Sequence, residues 1–164
     1  MTFRVDALAY DDPVVVALID ALLADLDERY GFDGVDDPDA DALEWRAEVT
    51  PEKVRAPNGA FLVAFDLADG TAIGCGGVKR IDASTGEIKR MYTAPAGRRR
   101  GVARAVLTRL EDEARSLGYT ALHLETGEEQ PEAVALYESA GWTRIPPYGR
   151  YSNDPRSICM RKDL

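Results

Sequence analysis

Apolar positions along this chain switch repeatedly between a helical and a strand-like spacing, and the switching predicts a mixed domain of helices and strands. Phe3 to Ala7 reads as a short strand. Pro13 then sits in the first turn of a helix from Asp12 to Tyr30, whose apolar face is Val15, Leu18, Ile19, Leu22, Leu23 and Leu26. Gly31 to Asp37 is turn-like, and a shorter helix covers Pro38 to Glu48. Ala60 to Leu67 is a strand, Ala68-Asp69-Gly70 a hairpin turn and Thr71 to Ile81 its partner; a turn near Ser84-Thr85-Gly86 leads into Glu87 to Thr93. The helix from Arg100 to Leu117 buries Val102, Val106, Leu107, Leu110, Ala114 and Leu117 and ends at Gly118, a suitable left-handed cap. Thr120 to Glu125 follows at once as a strand. Strand, helix, strand with a short link is a right-handed crossover, so Glu87 to Thr93 and Thr120 to Glu125 should lie parallel as neighbours. Pro131 opens a helix through Ser139, closed by Gly141, and Trp142 to Ile145 pairs with Ser157 to Lys162 around the loop from Tyr148 to Pro155. The expected fold class is α/β in the α+β sense, with a central, mixed, mostly antiparallel twisted sheet of six to seven strands and about four helices.

Composition narrows this picture. A chain of 164 residues suits one domain, 1–164, with a core of ordinary size. No apolar run is long enough to span a membrane, and Met1-Thr2-Phe3-Arg4-Val5-Asp6 lacks the basic and apolar regions of a signal peptide, so a cytoplasmic location is the expectation. Cys75 and Cys159 sit in apolar strands and read as small buried thiols. His123, between Leu122 and Leu124, has no partners for a metal site or a nucleophilic triad, so no metal is expected. Residues 1 to 54 hold 15 acidic and 4 basic side chains, net −11, whereas the remainder holds 14 and 16, net +2. An acidic front disfavours nucleic acid and suits a polyamine, an aminoglycoside-like base or a basic peptide, although it serves solubility equally well.

The positive charge is concentrated at one place. In Gly86 to Ala103, GEIKRMYTAPAGRRRGVA, a strand runs into an arginine and glycine loop that opens a helix. Gly101 and Ala103 let the backbone approach a ligand, the first helical N–H groups point outward, and Arg98, Arg99, Arg100 and Arg104 add fixed charge. The segment is suited to a phosphate-bearing ligand, against the alternative of a solvated surface loop.

Arg98, Gly101 and Ala103 fall on the pattern Q/R-x-x-G-x-G/A, and Gln130-Pro131-Glu132-Ala133-Val134-Ala135-Leu136-Tyr137-Glu138-Ser139-Ala140-Gly141-Trp142 falls on N-x-x-A-x-x-L-Y-x-x-x-G-F/Y, with Gln130 and Trp142 as departures. The two segments, in this order, resemble the GCN5-related N-acetyltransferase (GNAT) superfamily from about Ala60 to the C-terminus. The resemblance implies that the two parallel strands splay apart and admit the pantetheine arm of acetyl-CoA. It implies that the main chain of Met91, Tyr92 and Thr93 meets the acetyl and pantetheine part, and that the amides from Arg99 through Arg100, Gly101, Val102 and Ala103 to Arg104 surround the pyrophosphate. Gln130 stands where an asparagine usually bonds the cofactor. Met91 and Tyr92 can equally serve as core.

Acetyl transfer to an amine needs a base for the ammonium proton and a donor for the departing thiolate. Tyr137, the tyrosine of the family's L-Y pair, is the candidate acid; its alternative is packing against the cofactor. Glu87 lies eleven positions before Arg98, the spacing at which histone-acetylating members of the superfamily carry a strand-borne glutamate, and the resemblance makes it the candidate base. Alternation puts Glu87, Lys89 and Met91 on one face and Ile88, Arg90 and Tyr92 on the other, and an ion pair of Glu87 with Lys89 would look the same in sequence. Glu125 is the second choice as base, or an anchor for the substrate amine. Tyr30, Tyr148 and Tyr151 suit an aromatic wall for a cationic acceptor, with plain packing as the alternative, and the two front helices would form a lid over it.

The function implied is an acetyl-CoA-dependent N-acetyltransferase acting by direct transfer in a ternary complex on a primary amine of a small molecule or peptide. The resemblance permits a homodimer. A non-catalytic acyl-CoA-binding regulatory module is the alternative, and a nucleotide or phosphate-ester binder of unrelated fold is argued against by the segment from Gln130 to Trp142.

Overall fold

The computed structural model describes residues 2–31 and 38–164, with side chains of the second helix described from Leu43 onward. The turn expected over 31–37 therefore lies, except for Gly31, outside the described residues. The order of elements is β1 (Phe3–Ala7), α1 (Pro13–Tyr30), α2 (Pro38–Glu48), β2 (Ala60–Asp66), β3 (Ala72–Arg80), β4 (Thr85–Thr93), α3 (Val102–Ser116), β5 (Ala121–Gly127), α4 (Pro131–Ser139), β6 (Thr143–Ile145) and β7 (Ser157–Asp163). The sheet has seven strands in the order β1-β2-β3-β4-β5-β7-β6. Only β4 and β5 pair in parallel; the other neighbours are antiparallel.

Local chemistry accounts for most boundaries. The Asp12 carboxylate caps α1 by accepting from the Val14 amide at 2.8 Å, and Pro13 fills the first helical position. Asp82 accepts from the amides of Ser84 and Thr85, so the turn closes earlier than expected and β4 begins at Thr85. Two cores lie on opposite faces of the sheet. On one, Leu62, Val78, Ile88, Leu122 and Leu124 pack against Val106, Leu107 and Leu110 of α3 and Tyr137 of α4. On the other, Phe61, Val63 and Cys75 pack under Val15, Leu18 and Ile19 of α1, with Val49 and Val54 after α2. Leu23 and Leu26, expected on the buried face of α1, are only half-buried, because the C-terminal half of the helix overhangs a cleft. Leu117 also lies past the end of α3 and is half-buried, packed against the edge of the core.

The cleft originates in a backbone irregularity. Opposite β3, the pairing steps from Cys75↔Tyr92 to Gly77↔Lys89, so β4 carries an extra residue, and Arg90 takes a left-handed φ of 61° there. For a residue with a Cβ that conformation costs about 1–2 kcal/mol. Beside β5, pairing runs from Thr85↔Ala121 to Ile88↔Leu124 and stops just before the bulge. Beyond it β4 follows β3 while β5 follows β7, leaving a wedge between the parallel strands. The bulge also corrects the simple alternation: Met91 joins Ile88 on the α3 side, whereas Tyr92 packs on the α1 side. Glu87 and Met91 therefore do not share a face.

Candidate active site

Two cavities occupy the wedge and meet at Tyr137. The larger, about 540 Å³, runs from Met91, Tyr92 and Thr93 along the start of α3 to Gln130, Ala133 and Tyr137. Arg98, Arg99, Gly101, Val102, Ala103 and Arg104 line it. Gly101 is the N-cap of α3 at φ 79°, a conformation that glycine adopts freely, and space is open where a side chain would stand. No side chain caps α3, so its first amides face the cavity with the positive end of the helix dipole. Arg100 is the exception among the expected residues. Its guanidinium turns away to Asp66 at 2.6 Å and to the Thr2 hydroxyl at 3.1 Å, so its charge ties the loop to the β2 end instead of facing the cavity. Sequence spacing did not single out Asp25 or Arg29. Asp25 accepts from Arg98 at 3.2 Å and from Arg29 at 2.8 Å, while Arg29 also pairs with Glu132, so α1 is fastened to both the loop and α4.

The smaller cavity, about 250 Å³, lies on the other side of Tyr137. Tyr30, Glu125 and Tyr151, three of the residues expected around an acceptor, line it together with Trp45 of α2. Tyr30 receives a hydrogen bond from Gln130 Nε2 at 3.1 Å and sets its hydroxyl end against Gly127, where a Cβ would fall 1.7 Å from that hydroxyl. Only glycine permits that approach. Gln130 is thus committed to Tyr30 while also lining the larger cavity.

Glu87 and Tyr148 lie in neither cavity. Glu87 is 4% exposed and accepts from Tyr148 Oη at 2.5 Å and from Lys79 at 3.2 Å. The expected base Glu87 and the expected acceptor-wall residue Tyr148 are thus placed against each other: the carboxylate is enclosed by its own partners, and the phenol is used to hold it. Tyr148 also packs on His123, with ring centroids 5.1 Å apart, which leaves His123 in a structural place. Lys89 pairs with Glu48 at 2.6 Å and donates to Tyr151 Oη at 2.6 Å, so the tyrosine wall is fixed from behind.

Burial sets the proton affinities. Desolvation lifts the Glu125 carboxyl to about 7, against the smaller opposing effects of a hydrogen bond from Ser157 Oγ at 2.8 Å and the Lys89 charge. Desolvation, followed by the nearby Glu125 charge, pushes the Tyr137 phenol upward, so its proton is kept at neutral pH. Burial pushes Tyr151 upward as well. Burial would raise Glu48 too, but the Lys89 charge and its hydrogen bond outweigh it, and Glu48 stays ionised. Cys75, buried, is pushed up to about 12 and is an inert thiol. Among the described residues no cluster has the makings of a metal site, and no helix is long and apolar enough to cross a membrane.

An uncapped helix start flanked by arginines and a phenol shared with a carboxylate-bearing second cavity lie together in a splayed sheet. The model of the acetyltransferase (GNAT) family matches residues 18–142, and the chain belongs to that family, whose acetyl carrier is acetyl-CoA. It is 42% identical over 109 residues to an IAA acetyltransferase of Azospirillum brasilense, covering 66% of this chain and 70% of that protein. It is 42% identical over 115 residues to an uncharacterized N-acetyltransferase of Bacillus subtilis, covering 69% and 75%. The PaiA N-acetyltransferase of Thermoplasma acidophilum, solved with coenzyme A, shares the fold at a TM-score of 0.71 and 20% identity over the full length of both chains.

Proposed function

We propose that the protein moves the acetyl group of acetyl-CoA directly to a primary amine held in the smaller cavity, with Glu125 as base and Tyr137 as acid. The observation that carries this is the meeting of the two cavities at Tyr137, with Glu125 in the acceptor half. In the larger cavity the amides at the start of α3, with Arg98, Arg99 and Arg104, suit the pyrophosphate, and the β4 main chain from Met91 through Tyr92 to Thr93, paired with β3 but not with β5, suits the pantetheine. Glu125, with an affinity near 7, takes a proton from the acceptor ammonium, and the free amine forms the new N–C bond as the C–S bond breaks. Tyr137 Oη gives its proton to the departing sulfur, and the second proton, shed by the nitrogen as the amide forms, restores the Tyr137 phenol. Desolvation keeps that phenol protonated until a thiolate is present to receive the proton.

Thiol release from acetyl-CoA, measured against a panel of small amines and peptides, tests this reading together with Tyr137→Phe. Turnover should fall by about 10²-fold or more in the variant while acetyl-CoA affinity is retained. Unchanged turnover would remove Tyr137 from the chemistry, and silence across the panel with acetyl-CoA bound would favour a regulatory acyl-CoA-binding module.

A further inference from the structure

The smaller cavity carries more positive charge than amine transfer requires. Lys89, Arg90, Arg150 and Arg156 line it, against Glu125 and Asp154. Lys89 is matched by Glu48. Arg156 reaches Asp154 at 3.5 Å, and Arg150 reaches Glu44 and Glu48 only at 3.7 Å; both are largely exposed at the mouth. Arg90 differs. It is 6% exposed, stacks over the Trp45 ring at 3.4 Å from the centroid, and donates through one Nη to the Trp45 carbonyl. Among the described residues no carboxylate pairs with it, and its buried Nε has no acceptor. A guanidinium fixed in place on an indole, with its Nε–H unpartnered and a cavity alongside, is suited to an anion, and a carboxylate matches its fork of donors.

The same cavity holds Glu125, which favours an ammonium, and its walls between the charges are aromatic: Tyr30, Trp45 and Tyr151. A volume of about 250 Å³ suits a compact molecule. We infer that the acceptor is a small amino carboxylate of free amino-acid size, its ammonium against Glu125 and its carboxylate on Arg90, with Arg150 and Arg156 attracting it at the mouth. This rests on the transfer reading above and reverses the expectation drawn from the acidic N-terminal third, because the cavity itself is lined by cations.

The test is thiol release with matched acceptors, comparing free amino acids with their amides and with the corresponding decarboxylated amines, in the unaltered protein and in Arg90→Gln and Arg150→Gln. The exposed Arg150 variant keeps the test alive if Arg90→Gln does not fold. The acids should exceed their amides in kcat/KM by roughly tenfold or more, chiefly through KM, and the ratio should shrink in the variants. Amides or amines used as well as the acids would overturn this inference and leave the transfer reading standing, as would a preference for acids that survives in both variants. Silence from every acceptor, with acetyl-CoA still bound, would overturn both.

Discussion

Glu125→Gln should make the protein more stable and far less active, and the two effects share one physical cause. Desolvation holds the folded-state affinity of Glu125 at about 7, against 4.5 for the ordinary carboxyl. Between those values the folded protein keeps a proton that the unfolded chain has released, so stability falls as pH rises from 4.5 through 7 and the penalty is complete above that. Two and a half pKa units correspond to about 3 kcal/mol. Glutamine has the same shape, can still accept from Ser157 Oγ and never ionises, so it escapes this penalty. For a domain of this size, about 3 kcal/mol is a rise in Tm of roughly 6–12 °C at pH 8. At pH 4.5, where Glu125 is protonated in the folded protein, the two proteins should melt together. Thiol release at pH 8 should fall by about 10²-fold or more in the same variant. Melting curves across pH 4.5 to 9, paired with rate measurements, decide the matter. A variant that melts lower at pH 8, or one that keeps its rate, would refute the burial argument and the base assignment respectively.

Other expectations follow from packing. Gly127→Ala places a methyl where the Tyr30 hydroxyl lies, so Tyr30 must leave and Gln130 loses its partner; acceptor kcat/KM should drop by about tenfold at a stability cost of about 1–3 kcal/mol, measured by steady-state kinetics and urea unfolding. Glu111→Ala removes the acceptor of Lys162 Nζ at 2.8 Å and of Trp142 Nε1 at 3.2 Å; it should cost about 3 kcal/mol in urea unfolding and leave the acetyl-CoA affinity of the folded protein intact.

Much of the fold was legible because apolar spacing and turn residues act locally. The extents of β1, α2 and α4 follow from those signals, and the parallel placement of β4 and β5 follows from the handed crossover through α3. The larger cavity was legible for the same reason: its anion-binding part is a contiguous loop and helix start whose chemistry is written in order from Arg98 to Arg104. The acceptor cavity was not. Its charges come from β4, β5 and the loop before β7, and no local rule brings Arg90, Glu125 and Arg156 together. The shared face of Glu87 and Met91 was misread because alternation was carried through a strand that contains a bulge, and no glycine or proline marks the bulge at Arg90. Glu111 carried a readable signal. Its spacing from Leu107 and Ala114 puts it on the apolar face of α3, where a carboxylate calls for partners such as Trp142 and Lys162.

The extra residue in β4 separates two jobs that side chains would otherwise share. The wedge is opened by a count of backbone residues, so neither cavity relies on bulky groups to hold the strands apart. Side chains around the acceptor half are therefore free to change in charge and size without closing the path to the acetyl donor. Shortening β4 by one residue at the bulge would have the opposite effect: it would keep Met91 on the α3 side by plain alternation and let β4 and β5 continue to pair. Both cavities would then disappear together, although every residue that lines them except one would still be present.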